Sequence, residues 1–244
     1  MNKLTIILIA LLISYQANAQ EKERTQIGGR PNIAGDLFLD FGFNFLNNRP
    51  DDLNTRFFAS RIVNIYYQAS VPLGNNTGFS FNPGIGLGLE KLAFQDNQTL
   101  IPNPVVGLNS SQLADVLDIY EEARRVDKYN ISINYIDIPL ELRYHVNRTN
   151  YNKGFRAAVG GKIGILYNSH TKIAVTDASD TSMQVKNRQD YGFSPIRYGV
   201  FTRLGFPGFS VWSYYGLNSV FEEGKGPFST EASQFNLGLS VTLF

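Results

Sequence analysis

Apolar and polar residues alternate at a period of two over most of this chain. The clearest stretch runs from Asn134 to Val146, where Ile136, Ile138, Leu140, Leu142 and Tyr144 alternate with the ionisable Asp137, Glu141, Arg143 and His145. Successive side chains of a strand point to opposite faces, so one face here is hydrocarbon and the other carries charge of both signs. Residues 33–46 repeat the pattern, with Leu37, Leu39, Phe41, Phe43 and Phe45 against Asp36, Asp40, Gly42 and Asn44. Residues 58–73 set Val63, Ile65, Tyr67 and Val71 against Asn64, Gln68 and Ser70. Further strands are predicted over 79–94, 129–146, 155–175, 191–206, 209–221 and 233–244. The aromatic stretch 209–221 alternates less cleanly, and its faces stay unassigned. In the fourth segment the apolar set changes parity between Ile133 and Ile136, which predicts a bulge near Tyr135. Gly84, Gly86 and Gly88 form G-x-G-x-G with no helix pattern after it. A thinned strand face is therefore expected there, and not a phosphate-binding loop.

About eight strands result, joined by connections that alternate long and short. Outer-membrane barrels place long loops outside and short turns in the periplasm, and an even strand count closes them. The predicted fold is all-β: a closed antiparallel up-and-down transmembrane barrel of about eight strands over residues 31–244. Within the long connection 97–128, Leu113, Val116, Leu117 and Tyr120 fall at i, i+3, i+4 and i+7, which is helical spacing. Ser110 or Ser111 can cap the start, and Arg124 and Arg125 suit the far end of the dipole. A short amphipathic helix in this extracellular loop has two readings, packing over the barrel mouth or meeting a partner or the lipid interface.

The chain opens with Lys3, an apolar run from Leu4 to Ile13 and Ala17-Asn18-Ala19, a signal-peptide pattern with cleavage expected after Ala19. Residues 20–30 read as a polar periplasmic tail. No cysteine is present, so neither a disulfide framework nor a thioether-linked lipoprotein is expected. With 22 basic and 21 acidic residues, one of the basic ones in the signal peptide, the chain lacks the surplus that nucleic-acid binding needs.

The polar face of the strands collects Asp40, Glu90, Asp137, Glu141, Arg143, Arg156, Lys162, Arg197 and Arg203. An eight-stranded barrel encloses little more than side chains, and charges in a low-dielectric interior must pair. These nine residues read either as a salt-bridged plug or as a polar path for small solutes.

The stretch Tyr135-Ile136-Asp137-Ile138-Pro139-Leu140-Glu141-Leu142-Arg143-Tyr144, the run Gly160-Gly161-Lys162-Ile163-Gly164, the signal peptide and the terminal Phe244 carry a resemblance. Together they resemble the outer-membrane β-barrel domain widespread in Bacteroidota, within the small OmpA/OmpX-type barrel group. PorT-like proteins, associated with the type nine secretion machinery, belong to that wider group. The resemblance implies an outer-membrane location, assembly by the barrel-assembly machinery and no catalytic residues to carry over. One departure stands out: Ser240 and Thr242, not apolar residues, are in step with Phe244.

Enzyme chemistry finds little footing. His145 falls near a periplasmic turn, and His170 follows Ser169 on a strand, where neighbours point apart. Two histidines and no cysteine disfavour a metal site, and Asp177 and Asp180 lack calcium-loop spacing. The expectation is a non-enzymatic envelope barrel without cofactor or metal. Its partners would be outer-membrane lipid and an envelope protein met through the long loops, the latter in a structural or secretion-associated role. A narrow channel and a lipid-modifying enzyme are the alternatives.

Overall fold

The computed structural model describes residues 35–107 and 109–243; the predicted signal peptide, the periplasmic tail and Phe244 lie outside them. Eight long strands form the frame: β1 (Asp36–Asn47), β2 (Arg61–Gln68), β4 (Phe79–Leu92), β7 (Ala123–His145), β8 (Arg156–Asp177), β10 (Ile196–Phe206), β11 (Phe209–Ser219) and β12 (Ser233–Thr242). Each pairs antiparallel with its neighbour in this order, and β12 returns to β1, with Phe41 opposite Leu239. The sheet therefore closes on itself and leaves no edge along the barrel wall. Two residues, Val71–Pro72, form β3, which continues β2 along β4 after a break at Ala69 and Ser70.

The pleat separates two chemistries. Outward go Ile85, Leu140, Val159, Ile163, Leu204 and Leu239, all exposed. Inward go Asp40, Asn64, Glu90, Asp137, Glu141, Lys162, Arg197, Arg203 and Ser240, all buried. A belt of exposed hydrocarbon around the whole barrel far exceeds the patches soluble monomers show, and lipid is the solvent that suits it. The faces of β11 resolve in the same way. Ser210, Trp212 and Tyr214 point inward, while Phe209, Val211 and Tyr215 point outward.

The turns at one end are short, reaching two residues at Pro207 and Gly208, where Gly208 takes φ +99°. At the other end the connections fold into structure. Gln98–Pro102 (β5) and Ser111–Asp115 (β6) form a hairpin, and Ser182–Arg188 (β9) folds back on the upper part of β8. The expected loop 176–190 is thus largely strand, and β7 and β8 run on well beyond a bilayer's thickness. An apolar cap closes this mouth. Leu46, Leu53, Leu92, Phe94, Leu100, Ile131, Ile133, Tyr191, Phe193 and Phe221 bury one another there, with Phe193 stacked on Phe221 at 4.9 Å.

Two further expectations need correction. The helix α1 spans Val116–Ile119 alone, and its N-cap is Asp115, whose carboxylate accepts from Leu117 N–H, not Ser110 or Ser111. Leu113 belongs to β6 and faces Leu100 in β5, while Arg125 belongs to β7. The helical spacing was real in residue type but is satisfied by a hairpin that ends in one helical turn. The predicted bulge near Tyr135 sits at the right height on the wrong strand. On β7 the residues from Tyr129 to His145 keep one phase. The extra residue is Tyr167 on β8, between the pairs Asn134–Asn168 and Tyr135–Leu166. The parity change of β7 has another cause: its inner face passes from the polar lumen to the apolar cap, where Ile131 and Ile133 are buried.

The cap generates a test. Phe193→Ala should loosen the mouth by about 3–5 kcal/mol, the usual cost of emptying a buried ring site. The measurement is limited proteolysis of residues 220–232. Cleavage is expected to accelerate while the heat-modifiable electrophoretic band of the barrel stays unchanged.

Candidate functional site: the charge network in the lumen

Narrowness sets the problem. Inward side chains from eight strands meet near the axis, and any ion among them has lost water on all sides. Two layers of ion pairs answer this.

The upper layer centres on Arg197 of β10. Its Nη2 lies 2.8 Å from Asp137 Oδ2 and its Nε donates to Oδ1 at 3.2 Å, while Nη1 pairs with Glu90. Lys162 Nζ lies 3.5 Å from the same Asp137 oxygen and donates to Tyr66 OH at 3.2 Å. Tyr66 in turn donates to Asp137 at 2.6 Å. Gln234 bridges Glu90 and Asn44, donating to Asn44 Oδ1 at 3.1 Å. Aromatic faces complete the shell: the Arg197 guanidinium is 4.0 Å from the Tyr135 ring, and Lys162 Nζ is 4.1 Å from that of Tyr214. Two acids thus meet two bases.

The lower layer joins Arg143 of β7 and Arg203 of β10 through Glu141, at 2.7 and 3.2 Å. Arg203 reaches Asp40 at 3.1 Å, and Arg143 reaches Asp36 at 2.8 Å and Gln68 at 3.1 Å. Phe38 lies between the guanidinium groups, 4.2 Å from Arg203 and 5.2 Å from Arg143. Arg156 stands at the periplasmic end, where it donates to the Phe206 carbonyl at 3.3 Å. Among the described residues it forms no ion pair, so eight of the nine sequence-predicted lumen charges are directly paired.

Glycines make the room. A Cβ at Gly88 would lie 2.7 Å from Asp137 Oδ2, and one at Gly164 would lie 2.8 Å from Arg197 Nε. At Gly160 and Gly199 it would strike the rings of Phe201 and Tyr214. The period-two glycines of β4 therefore thin the inner face where the ion pairs and Tyr66 need the volume, as their spacing implied.

Sequence reasoning passed over Asp36 as a lumen charge and missed Phe38, Tyr66, Trp212, Tyr214 and Gln234. Parity alone could have found most of them, because they share the phase of the charged residues. Phe38 lies midway between Asp36 and Asp40.

The remaining candidates sit apart from this network. Val116 is fully buried against Tyr129, Ile173 and Val175, with Tyr120 packed beside them, whereas Leu117 is exposed. His145 stacks on Tyr151 and lies 3.1 Å from Ser80 Oγ, both side chains buried at the periplasmic end. Ser169 turns inward and donates to the Gln189 carbonyl, while His170 turns outward beside Asn168. Asp177 accepts from Ser179 and Thr181 N–H and shapes a turn. Among the described residues no group of His, Asp and Glu comes together that would hold a metal ion.

A closed eight-stranded barrel with a lipid-compatible exterior and an ionic interior is an outer-membrane barrel. The chain belongs to the outer membrane protein beta-barrel domain family, which matches residues 16–222. Among solved structures it is similar to Ail, the attachment invasion locus protein of Yersinia pestis. That likeness has 9% identity and a TM-score of 0.34, covering 86% of this chain and 97% of that one. The same protein in complex with the heparin analogue sucrose octasulfate matches at 10% identity and a TM-score of 0.33, over 86% and 100% of the two chains. A mutant porin of Rh. blastica matches at 10% identity and a TM-score of 0.21, over 86% and 99%. No curated protein matches the chain.

Arg197→Met should leave Glu90 buried without its cation and Asp137 with Lys162 alone, and destabilise the barrel by about 3–5 kcal/mol. Urea unfolding in detergent micelles, followed by tryptophan fluorescence from Trp212, reads the loss. Adding Glu90→Gln to the same chain removes the stranded charge, leaves Asp137 paired with Lys162 and is expected to restore most of it.

Proposed function

We propose that this protein is a non-enzymatic structural and partner-binding component of the outer membrane, a sealed barrel that holds a rigid loop platform at the cell surface. The observation that supports this reading is the pair of ion-pair layers across the lumen beneath a packed apolar cap. The two ion-pair layers act as a plug, and Phe201, Trp212, Tyr214 and Ile62 fill space beside them. Near Arg143, Arg156 and Arg203 a cavity of about 10 Å³ remains, room for about one water molecule. A path for solutes would need continuous polar space, so the channel reading is the weaker one.

The platform supplies the contact surface. The β5–β6 hairpin is tied down by Ser111, whose N–H donates to Lys225 O at 2.8 Å and whose hydroxyl donates to Tyr191 O at 2.6 Å. Its tip presents Val105, 92% exposed, and Val106, and α1 adds Leu117 and Ile119. Val116 and Tyr120 anchor this segment and leave Leu117 as the residue of the original four best placed to meet a partner. The resemblance to PorT-like proteins makes a secretion-associated envelope complex the first partner to seek.

Two measurements test the reading. The full chain reconstituted in a planar bilayer is expected to be electrically silent, and stepwise conductance would overturn the plug. A photocrosslinker at Val105 or Leu117 in intact cells is expected to capture one reproducible envelope protein, with a lipid-facing site at Ile163 as control. Capture of the same proteins from all three positions would count against a partner surface here.

A further inference from the structure

Strand register gathers a second set of charges on the outside of the molecule. Lys91 of β4 is the register partner of Ser132 of β7, Ser132 of His170 of β8, and His170 of Arg188 of β9. One step of the pleat higher, Lys172 of β8 pairs with Lys186 of β9. Arg61 follows at the start of β2, one residue beyond the Ile62–Glu90 pair that precedes Lys91. Neighbouring strands lie about 4.8 Å apart, so the row from Lys91 to Arg188 covers about 15 Å.

All of these side chains share the lipid-facing side. Lys91 keeps the phase of the outward Ile85 and Leu87, and Ser132 that of the outward Ile136, Ile138 and Leu140. The extra residue Tyr167 turns His170 and Lys172 onto this same face. The row begins where the apolar belt ends, two residues past Leu89 on β4 and three past the exposed Tyr167 on β8. In an outer-membrane barrel that height is the headgroup zone of the outer leaflet.

The charges lack carboxylate partners among the described residues, although Arg61 donates to the Phe58 carbonyl at 2.8 Å and His170 meets Asn168. Among the described residues none of Lys91, Lys172, Lys186 and Arg188 ion-pairs with a carboxylate. Asp127, on the upper part of β7, is engaged by Arg125 at 2.6 Å and by the Thr176 hydroxyl at 2.5 Å. Thr176 is six residues along β8 from His170, about 20 Å of strand. With overall charge nearly balanced at +1, this concentration is a local asymmetry and not a general basicity.

We propose that Arg61, Lys91, His170, Lys172, Lys186 and Arg188 form a docking surface for the phosphorylated headgroup of an outer-leaflet lipid of the lipid A type. Its acyl chains would lie along the apolar belt below. Phosphate matches the row because Arg and Lys donors surround it from one side, and the chain continues downward into hydrocarbon that suits the tails. A soluble polyanion would use the same cations but would leave that belt unused.

Native mass spectrometry of the full chain in detergent micelles, titrated with diphosphorylated lipid A, tests the proposal. Retention of the diphosphorylated lipid and loss of its dephosphorylated analogue are expected. Lys172→Gln, Lys186→Gln and Arg188→Gln together should weaken retention about a hundredfold. Arg148→Gln with Lys153→Gln at the periplasmic turn should leave it unchanged. An unchanged heat-modifiable band establishes that the triple variant is folded. If that band is lost, Lys186→Gln with Arg188→Gln on the β9 hairpin serves, with a loss of about 25-fold. Equal retention of the dephosphorylated lipid, insensitivity to the β8–β9 substitutions, or an equal loss in the periplasmic variant would overturn the site. Displacement by inorganic phosphate at the same concentration would assign it to a free anion instead.

Discussion

Arg197 lies at the axis of the barrel with Asp137 on one side and Glu90 on the other, and neither acid nor base is tolerable there alone. An unpaired ion in such an interior would cost several kcal/mol, so the pairing constrains everything near it. Gly88 and Gly164 are glycine because the pair occupies the space of their Cβ atoms. Tyr66 serves Asp137 and Lys162 at once, and Gln234 and Asn44 saturate Glu90. The lower layer repeats the solution with three acids, and Phe38 slots between its guanidinium groups. Polar networks of this kind specify one arrangement because every member depends on the others.

The exterior obeys the complementary constraint. Lipid offers no hydrogen bonds, so the backbone must satisfy itself through a closed sheet and the outward side chains must be hydrocarbon. Above the bilayer the requirement reverses, and the inner face becomes apolar to build the cap. The chain makes this exchange in two ways at nearly one height. β7 keeps its backbone phase and swaps residue types, whereas β8 keeps its apolar residues on odd positions and inserts Tyr167 to turn the backbone. Ile173 and Val175 thereby face the cap side, although Ile163 and Ile165, of the same parity, face lipid.

That reversal also links the two proposed surfaces. The inward-facing residues above the membrane bury themselves to make the loop platform rigid. The outward-facing ones are freed from lipid and can carry the cations that meet headgroups. In the role proposed above, the platform and the lipid site at its flank would together position a partner at the surface.

The sequence by itself determined the number of strands, their faces and the identity of the interior charges, because a pleat of period two records burial directly along the chain. It located the glycines that thin β4 and eight of the nine ions that pair in the lumen, for the same reason, and passed over Asp36. Partners across the lumen were hidden, since Arg197 meets Glu90 over 107 positions and the pairing follows from barrel closure. The helix expected from Leu113, Val116, Leu117 and Tyr120 shrank to one turn because β5 offered β6 a ladder, a competition that local spacing does not register. The cationic row on the outer wall likewise exists only in register. Lys91, His170 and Arg188 are far apart in the chain and become neighbours when β4, β7, β8 and β9 line up, which only the tertiary structure decides.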